Sequence, residues 1–124
     1  MSQVYNFTVG QGEDWDLNIN MKDDSDNLLD LTGYSYSGQI RDAYDSSVVI
    51  AVFTFEIANQ FTDRGRVTLS LTHDQTQNIP LPASSGNQKK PSKEYLYDIK
   101  ETDTFGKVRR ILEGSVIVTA GVTK

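Results

Sequence analysis

Asp23, Asp24, Asp26 and Asp30 fall within one short stretch, and hard carboxylate oxygens at such spacing suit a calcium ion. The stretch lacks the glycine at the sixth position and the bidentate glutamate at the twelfth that a helical calcium loop uses. A solvated hairpin tip, for which Asp and Asn are well suited, is the competing reading. His73 stands next to Asp74, but adjacency in sequence builds no catalytic triad, and a general base needs an aligned partner in a cleft. A surface or capping role is expected for it. Gly10-Gln11-Gly12 shows two glycines of a phosphate cradle without the third and without a following helix. Lys89, Lys90, Lys93, Arg109 and Arg110 gather base in the C-terminal half, whereas Glu13, Asp14, Asp16 and the four aspartates gather acid in the first thirty residues. Such an acidic end could meet the basic end of a neighbouring subunit and set its orientation. The alternative is two solvated surfaces.

Composition narrows these options. The 124 residues carry 17 acidic and 12 basic side chains, a net charge of -5, which argues against binding a phosphate backbone. Nucleic acid is not an expected partner. The absence of cysteine removes disulfides, thiolate nucleophiles and sulfur ligands, and a single histidine removes sites built on two imidazoles. No catalytic, cofactor or metal set emerges, so no enzyme and no cofactor are expected. No apolar run approaches the roughly 20 residues of a membrane span, and MSQVYNFTV lacks the basic-then-apolar order of a signal peptide. A soluble protein made in a cytoplasm, with no membrane partner, is expected. The length suits one domain over residues 1–124, and 37% hydrophobic residues suffice for one core.

The elements that must position any site read as strands. Trp15, Leu17, Ile19 and Met21 alternate with Asp14, Asp16, Asn18 and Asn20, a half-buried strand that reverses through Lys22–Asn27 toward Leu28 and Leu29. Tyr34, Tyr36, Gly38 and Ile40 share one face of a second strand. Val48 to Ile57 reads as one long strand with Val49, Ala51, Phe53, Phe55 and Ile57 on one face; Val48, Ile50 and Val52 on the other suggest that one half of it is covered on both sides. Val67, Leu69 and Leu71 alternate next. Thr72 and Gln75 have capping-box spacing before Pro80, so a short helix is expected over 72–79. Proline, serine, glycine and lysine over 81–93 read as a long exposed loop. Strands at 94–100, 108–112 and 115–119 follow, with a bulge or bend at Glu113-Gly114, and Val4 to Val9 is a further strand. About eight short strands and one short helix make an all-β protein, a single antiparallel immunoglobulin-like sandwich, with a small barrel as the alternative. Trp15 and the tyrosines are its expected core anchors, each with a polar tip that needs a partner.

The run ending Asp30-Leu31-Thr32-Gly33-Tyr34, the passage Val67 to Pro80, the strand Tyr95-Leu96-Tyr97-Asp98-Ile99 and the closing Leu112-Glu113-Gly114 with Val116, Val118 and Thr123 together resemble the small immunoglobulin-like sandwich of tailed-bacteriophage virion proteins. The resemblance includes the N-terminal domain of the baseplate upper protein family and spans residues 10 to 124. It implies a non-enzymatic structural protein of the virion, an adaptor or accessory subunit of tail or baseplate. Its partners would be other phage structural proteins, with multiple copies in a symmetric assembly. Members of that family often continue into a receptor-binding or fibre-attaching region, so this domain is expected to act alone as a building block. Exposed β edges suit such a role. The contacts expected are Val4, Phe7 and Val9 on one edge, Val116 and Val118 on another, and Lys89, Lys90 and Lys93 on the loop. Capsid decoration is an alternative, as is a carbohydrate-binding sandwich using Tyr44 or Phe105.

Overall fold

The computed structural model describes residues 3–23, 25–43, 47–81 and 91–120. They form β1 (Gln3–Val4), β2 (Phe7–Gly10), β3 (Trp15–Asn20), β4 (Ser35–Arg41), β5 (Val49–Val52), β6 (Thr54–Ile57), β7 (Arg66–Leu71), α1 (His73–Gln77), β8 (Ser92–Thr102) and β9 (Val108–Thr119). The larger sheet runs β1-β9-β8-β4-β5, with β2 beside β9 as the continuation of β1, and the smaller runs β3-β7-β6. The protein is all-β with one short helix, as the period-two alternation implies. Leu69 and Leu71 of the small sheet and Ile40, Tyr95, Ile99, Val116 and Val118 of the large one share a single buried cluster, so the sheets face each other as a sandwich.

Three features depart from the expected layout. First, β1 and β2 run parallel to β9, with Gln3 opposite Leu112 and Phe7 opposite Val116, so the sandwich is not wholly antiparallel. Both pairings keep one register, and between them Asn6 stands in for the ladder by accepting from the Ser115 N–H at 2.9 Å. Gly114 is fixed by this close approach, because a Cβ there would overlap the Tyr5 carbonyl. Second, Val48 to Ile57 is not one strand. Its first half pairs with β4 and its second with β7, and the switch falls at Phe53, whose N–H still donates to Gly38 at 3.0 Å. Val48 and Val52 on the other face are exposed, whereas Ile50 between them is partly buried against the core. Third, β9 is continuous through Glu113-Gly114, and the irregularity lies where Ile99 faces Leu112 but Lys100 faces Arg110, leaving Ile111 as the extra residue of a bulge.

The helix forms where its cap is. Thr72 accepts from the Gln75 N–H while the Gln75 side chain accepts from the Thr72 N–H, a complete capping box. Long-range bonds then seat it: the Thr76 hydroxyl donates to the Glu13 carbonyl at 2.8 Å and accepts from the Gly12 N–H at 3.1 Å, and Gln11 donates to the Ile79 carbonyl at 2.7 Å. The two glycines thus belong to the turn that docks α1.

Aromatic packing closes one flank of the core. Trp15 is half-buried and stacks on Phe7, with ring centroids 4.1 Å apart and planes 13° from parallel, and it meets Phe53 at 5.9 Å. Trp15→Ala is therefore expected to cost about 3 kcal/mol, near the low end for removing a large aromatic. The measurement is the denaturant midpoint; coincident midpoints for the two proteins would show that the Phe7 stack carries no stability.

Candidate docking surface

The two sheets differ in width, and the mismatch leaves one flank open. There β1 is the edge of the large sheet and β3 the edge of the small one. Above them the Phe7–Trp15 stack fills the gap. Below, between β1, β3 and β9, a groove of about 840 Å³ runs past Val4, Leu17, Ile19, Met21, Leu29 and Ile111, with Lys22, Arg109 and Arg110 at its margin. Leu17, Ile19 and Ile111 pack against the core yet stay partly open to solvent.

The end of the sandwich next to this groove gathers three turns. Met21 donates to the Gly65 carbonyl at 2.7 Å, Leu31 to the Gln60 side chain at 2.9 Å, and β4 starts opposite the last residue of β8. The segments 25–33, 58–65 and 103–107 therefore emerge together. They carry Phe61, 98% exposed, Phe105, 93% exposed, and the partly exposed Leu28. Apolar side chains on neighbouring loops are a contact signal that isolated exposed residues are not. Phe105 was foreseeable as an exposed aromatic; Phe61 sits in the polar run Asn59-Gln60-Phe61-Thr62, and only the folded turn shows that nothing covers it.

Of the expected contact residues, Val4 is on the surface, at 69% exposure. Phe7, Val9, Val116 and Val118 are buried in the core and cannot contact a partner without unfolding. The reason is the parallel N-terminal ladder, which makes β9 an interior strand flanked by β8 and β2 and turns the odd residues of β2 inward. Lys93 belongs to β8 rather than to the 81–93 loop; its ammonium lies 3.0 Å from Asp42 and over the Tyr95 ring at 5.1 Å. Lys89 and Lys90, like Tyr44 and most of that loop, lie outside the described residues.

Charge segregation along the chain does not survive folding. Arg109 meets Glu101 at 2.7 Å, and Arg110 meets Asp98 at 3.2 Å and Glu113 at 3.3 Å. In the acidic turn Asp24 lies outside the described residues, and the other carboxylates serve the turn itself. Asp23 accepts from the N–H groups of Ser25 and Asn27, both at 2.9 Å, Asp30 accepts from Thr32, and Asp26 pairs with Lys22 at 3.4 Å. Among the described residues no group of three or more His, Asp or Glu side chains could hold a metal ion. His73 binds Asp14 through both Nδ1, at 2.9 Å, and its N–H, at 2.6 Å, with Asp74 at 3.7 Å from Nε2. Asp14 thereby ties the start of β3 to the start of α1.

At the groove margin Glu101 is fully buried, its two oxygens accepting from Arg109 at 2.7 Å and Tyr36 at 2.8 Å. Burial first, and then the bond to Glu101, push the Tyr36 hydroxyl far above its ordinary value. The bond to Glu101 also raises Arg109. No family model matches this chain, and no curated protein matches it in sequence.

Two expectations follow from these ion pairs. Arg109→Ala strands a buried carboxylate and should cost about 3 kcal/mol, whereas Glu101→Gln leaves a half-exposed arginine free to reach water and should cost about 1 kcal/mol. Urea titration of the two variants checks the order, and the reverse order would refute the account. For His73, the Asp14 hydrogen bond and then the charges of Asp14 and Asp74 raise its pKa, while the same bond lowers that of Asp14. The histidine contribution is complete below its unfolded value of 6.5 and disappears as pH rises through the folded value; the Asp14 contribution is complete above 3.8 and disappears as pH falls through its folded value. Both groups are exposed, so the effect is small and falls with salt. NMR titration should show a lower His73 pKa in Asp14→Asn, and an unchanged one would rule out the pairing.

Proposed function

We propose that this protein is a non-enzymatic structural subunit of a tailed-phage virion, an adaptor or accessory component of tail or baseplate that docks onto other structural proteins in multiple copies. The observation that carries the reading is the open flank. A regular strand edge lies over a partly filled groove in which apolar side chains such as Leu17 and Ile19 alternate with polar ones such as Asn18 and Asn20, and Phe61 and Phe105 project from the adjoining end. Uncovered edges and exposed aromatic side chains are parts from which protein interfaces are assembled. The resemblance of the Tyr95–Ile99 strand, the Val67–Pro80 passage and the closing strand to phage virion sandwiches supplies the class of assembly. The net charge of -5 supports protein rather than nucleic-acid partners. No helix among the described residues is long and apolar enough to cross a membrane.

The exposure of Phe105 also favours one other reading, a carbohydrate-binding sandwich that stacks a sugar ring on an aromatic platform. The test is to label the protein in intact particles and locate it by electron microscopy. Density at the tail or baseplate is the expected result. Density on the head would replace the adaptor reading with capsid decoration, and absence from particles together with glycan-array binding would replace it with carbohydrate recognition. Phe61→Ser combined with Phe105→Ser should leave stability within about 0.5 kcal/mol, as for ordinary surface substitutions, while reducing incorporation into particles at least ten-fold.

A further inference from the structure

The free edges of the two sheets are not equally protected. β5 is four residues long and out of register between Ile40 and Arg41, and its Val52 carbonyl already accepts from the Gln75 side chain at 2.7 Å. The β1–β2 edge is broken at Asn6, and Gly10 at its end is bound by the Glu13 carboxylate at 2.8 Å. β6 has four residues. Short, bulged and capped edges are how proteins discourage strand addition.

β3 has none of these devices. Six consecutive residues pair with β7 without a register shift. The Met21 N–H donates to Gly65, which fixes the direction of the ladder: Trp15, Leu17 and Ile19 turn their amides toward β7, and Asp16, Asn18 and Asn20 turn theirs outward. Among the described residues nothing takes those outward groups. Beneath them, Leu17 and Ile19 line the groove.

We infer that this edge pairs with the β3 edge of a second copy of the chain, antiparallel about a two-fold axis through Asn18, joining the two small sheets into one of six strands. An unpaired strand is complementary to itself under a two-fold, and such an isologous contact closes at a dimer. The side chains and the extent of β3 narrow the register: a centre on Ile19 also sets Asp16 opposite Lys22 but leaves Trp15 and Asp16 without partners inside β3, whereas a centre on Asn18 pairs Asp16 to Asn20 wholly within the strand. Residues directly opposite in an antiparallel pair share a face. Centring on Asn18 therefore sets Leu17 opposite Ile19 of the second copy on the groove side, Asp16 opposite Asn20 on the solvent side, and Asp14 opposite Lys22 at both ends. Sliding by two residues toward the N-terminus trades the Asp14–Lys22 match for Asp14 against Asn20, and sliding by four sets Asp16 against itself, a like-charge pair directly opposite. An odd shift turns apolar side chains to water. Among the described residues the Lys22 ammonium meets Asp26 alone, in an exposed ion pair at 3.4 Å, and in the chosen register it comes opposite Asp14 of the second copy, whose Oδ1 also holds His73 within its own chain. Charge matching and the unfilled groove thus both point to a second copy. The inference is independent of where the protein works.

The test uses the full chain in solution, with sedimentation velocity across a range of concentrations and hydrogen exchange resolved by residue. A reversible dimer is expected, in which the Asp16, Asn18 and Asn20 amides are protected and lose protection on dilution. Asn18→Pro removes an outward N–H, which an edge strand tolerates, and should weaken dimerisation at least ten-fold with the far-ultraviolet spectrum unchanged. Asn18→Lys, which sets like charges face to face on the axis, should do the same and keeps the test open if the proline variant does not fold. A chain that stays monomeric at every concentration overturns the inference, as does a dimer that neither variant weakens. Protection of the three amides that arises only with a different protein overturns it in favour of a heterologous strand.

Discussion

The inward row of β8 is the constraint around which the rest of the chain is arranged. Tyr95, Tyr97, Ile99 and Glu101 all face the interior, each 3% exposed or less, and three of the four carry polar tips. A polar group in a dry core needs a hydrogen bond or it costs a few kcal/mol. Each tip meets that need with a different part of the chain. The Tyr95 hydroxyl donates to the Pro80 carbonyl after the helix, that of Tyr97 to the Tyr5 carbonyl in the N-terminal strand, and Glu101 accepts from Tyr36 on β4 and Arg109 on β9. The N-terminal strand lies parallel to β9 partly because Tyr97 reaches across to hold it. The buried side-chain atoms among the described residues all find partners, so the row specifies the fold as well as stabilising it.

Much of this was legible in the sequence because side-chain burial has the same period as strand alternation. Trp15 to Met21, Tyr34 to Ile40, Val67 to Leu71 and Tyr95 to Ile99 present the faces that the alternation assigned, and Thr72 with Gln75 announced the helix. What alternation does not encode is which sheet a strand joins. Val48 to Ile57 keeps its inward face through Phe53 while exchanging one neighbour for another, so period two looks the same on both sides of the switch. Nor does alternation encode direction. Val4 to Val9 reads as a strand whether it runs with or against β9, and Val116 and Val118 leave any contact surface because they turn toward the facing sheet.

The docking surface was harder to read for a related reason. The groove includes Leu17, Ile19 and Ile111, residues that look like core in a linear reading and remain half-open because the sheet of three strands does not cover the sheet of six. The basic residues misled in the opposite sense. Arg109, Arg110 and Lys93 form a cationic group along the chain, yet each stands beside a carboxylate once β4, β8 and β9 are aligned. Cross-strand neighbours decide surface charge in a sheet, and register is not available before folding.

Folding and association draw on separate residues of β3, and the separation is geometric. Along a strand, both the side chain and the amide direction reverse at every residue. The residues of β3 whose side chains enter the sandwich are therefore the same ones whose amides bind β7, and those whose side chains meet water are the ones whose amides are unpaired. Trp15, Leu17 and Ile19 build the core from one set; Asp16, Asn18 and Asn20 form an outward set in which, among the described residues, Asn18 alone bonds another strand through its side chain, accepting from the Thr68 hydroxyl at 2.5 Å. A strand divided this way lets its outer set be tuned for a partner while the inner set keeps its packing. The groove below does not share that freedom, because Leu17 and Ile19 serve the core and the open flank at once.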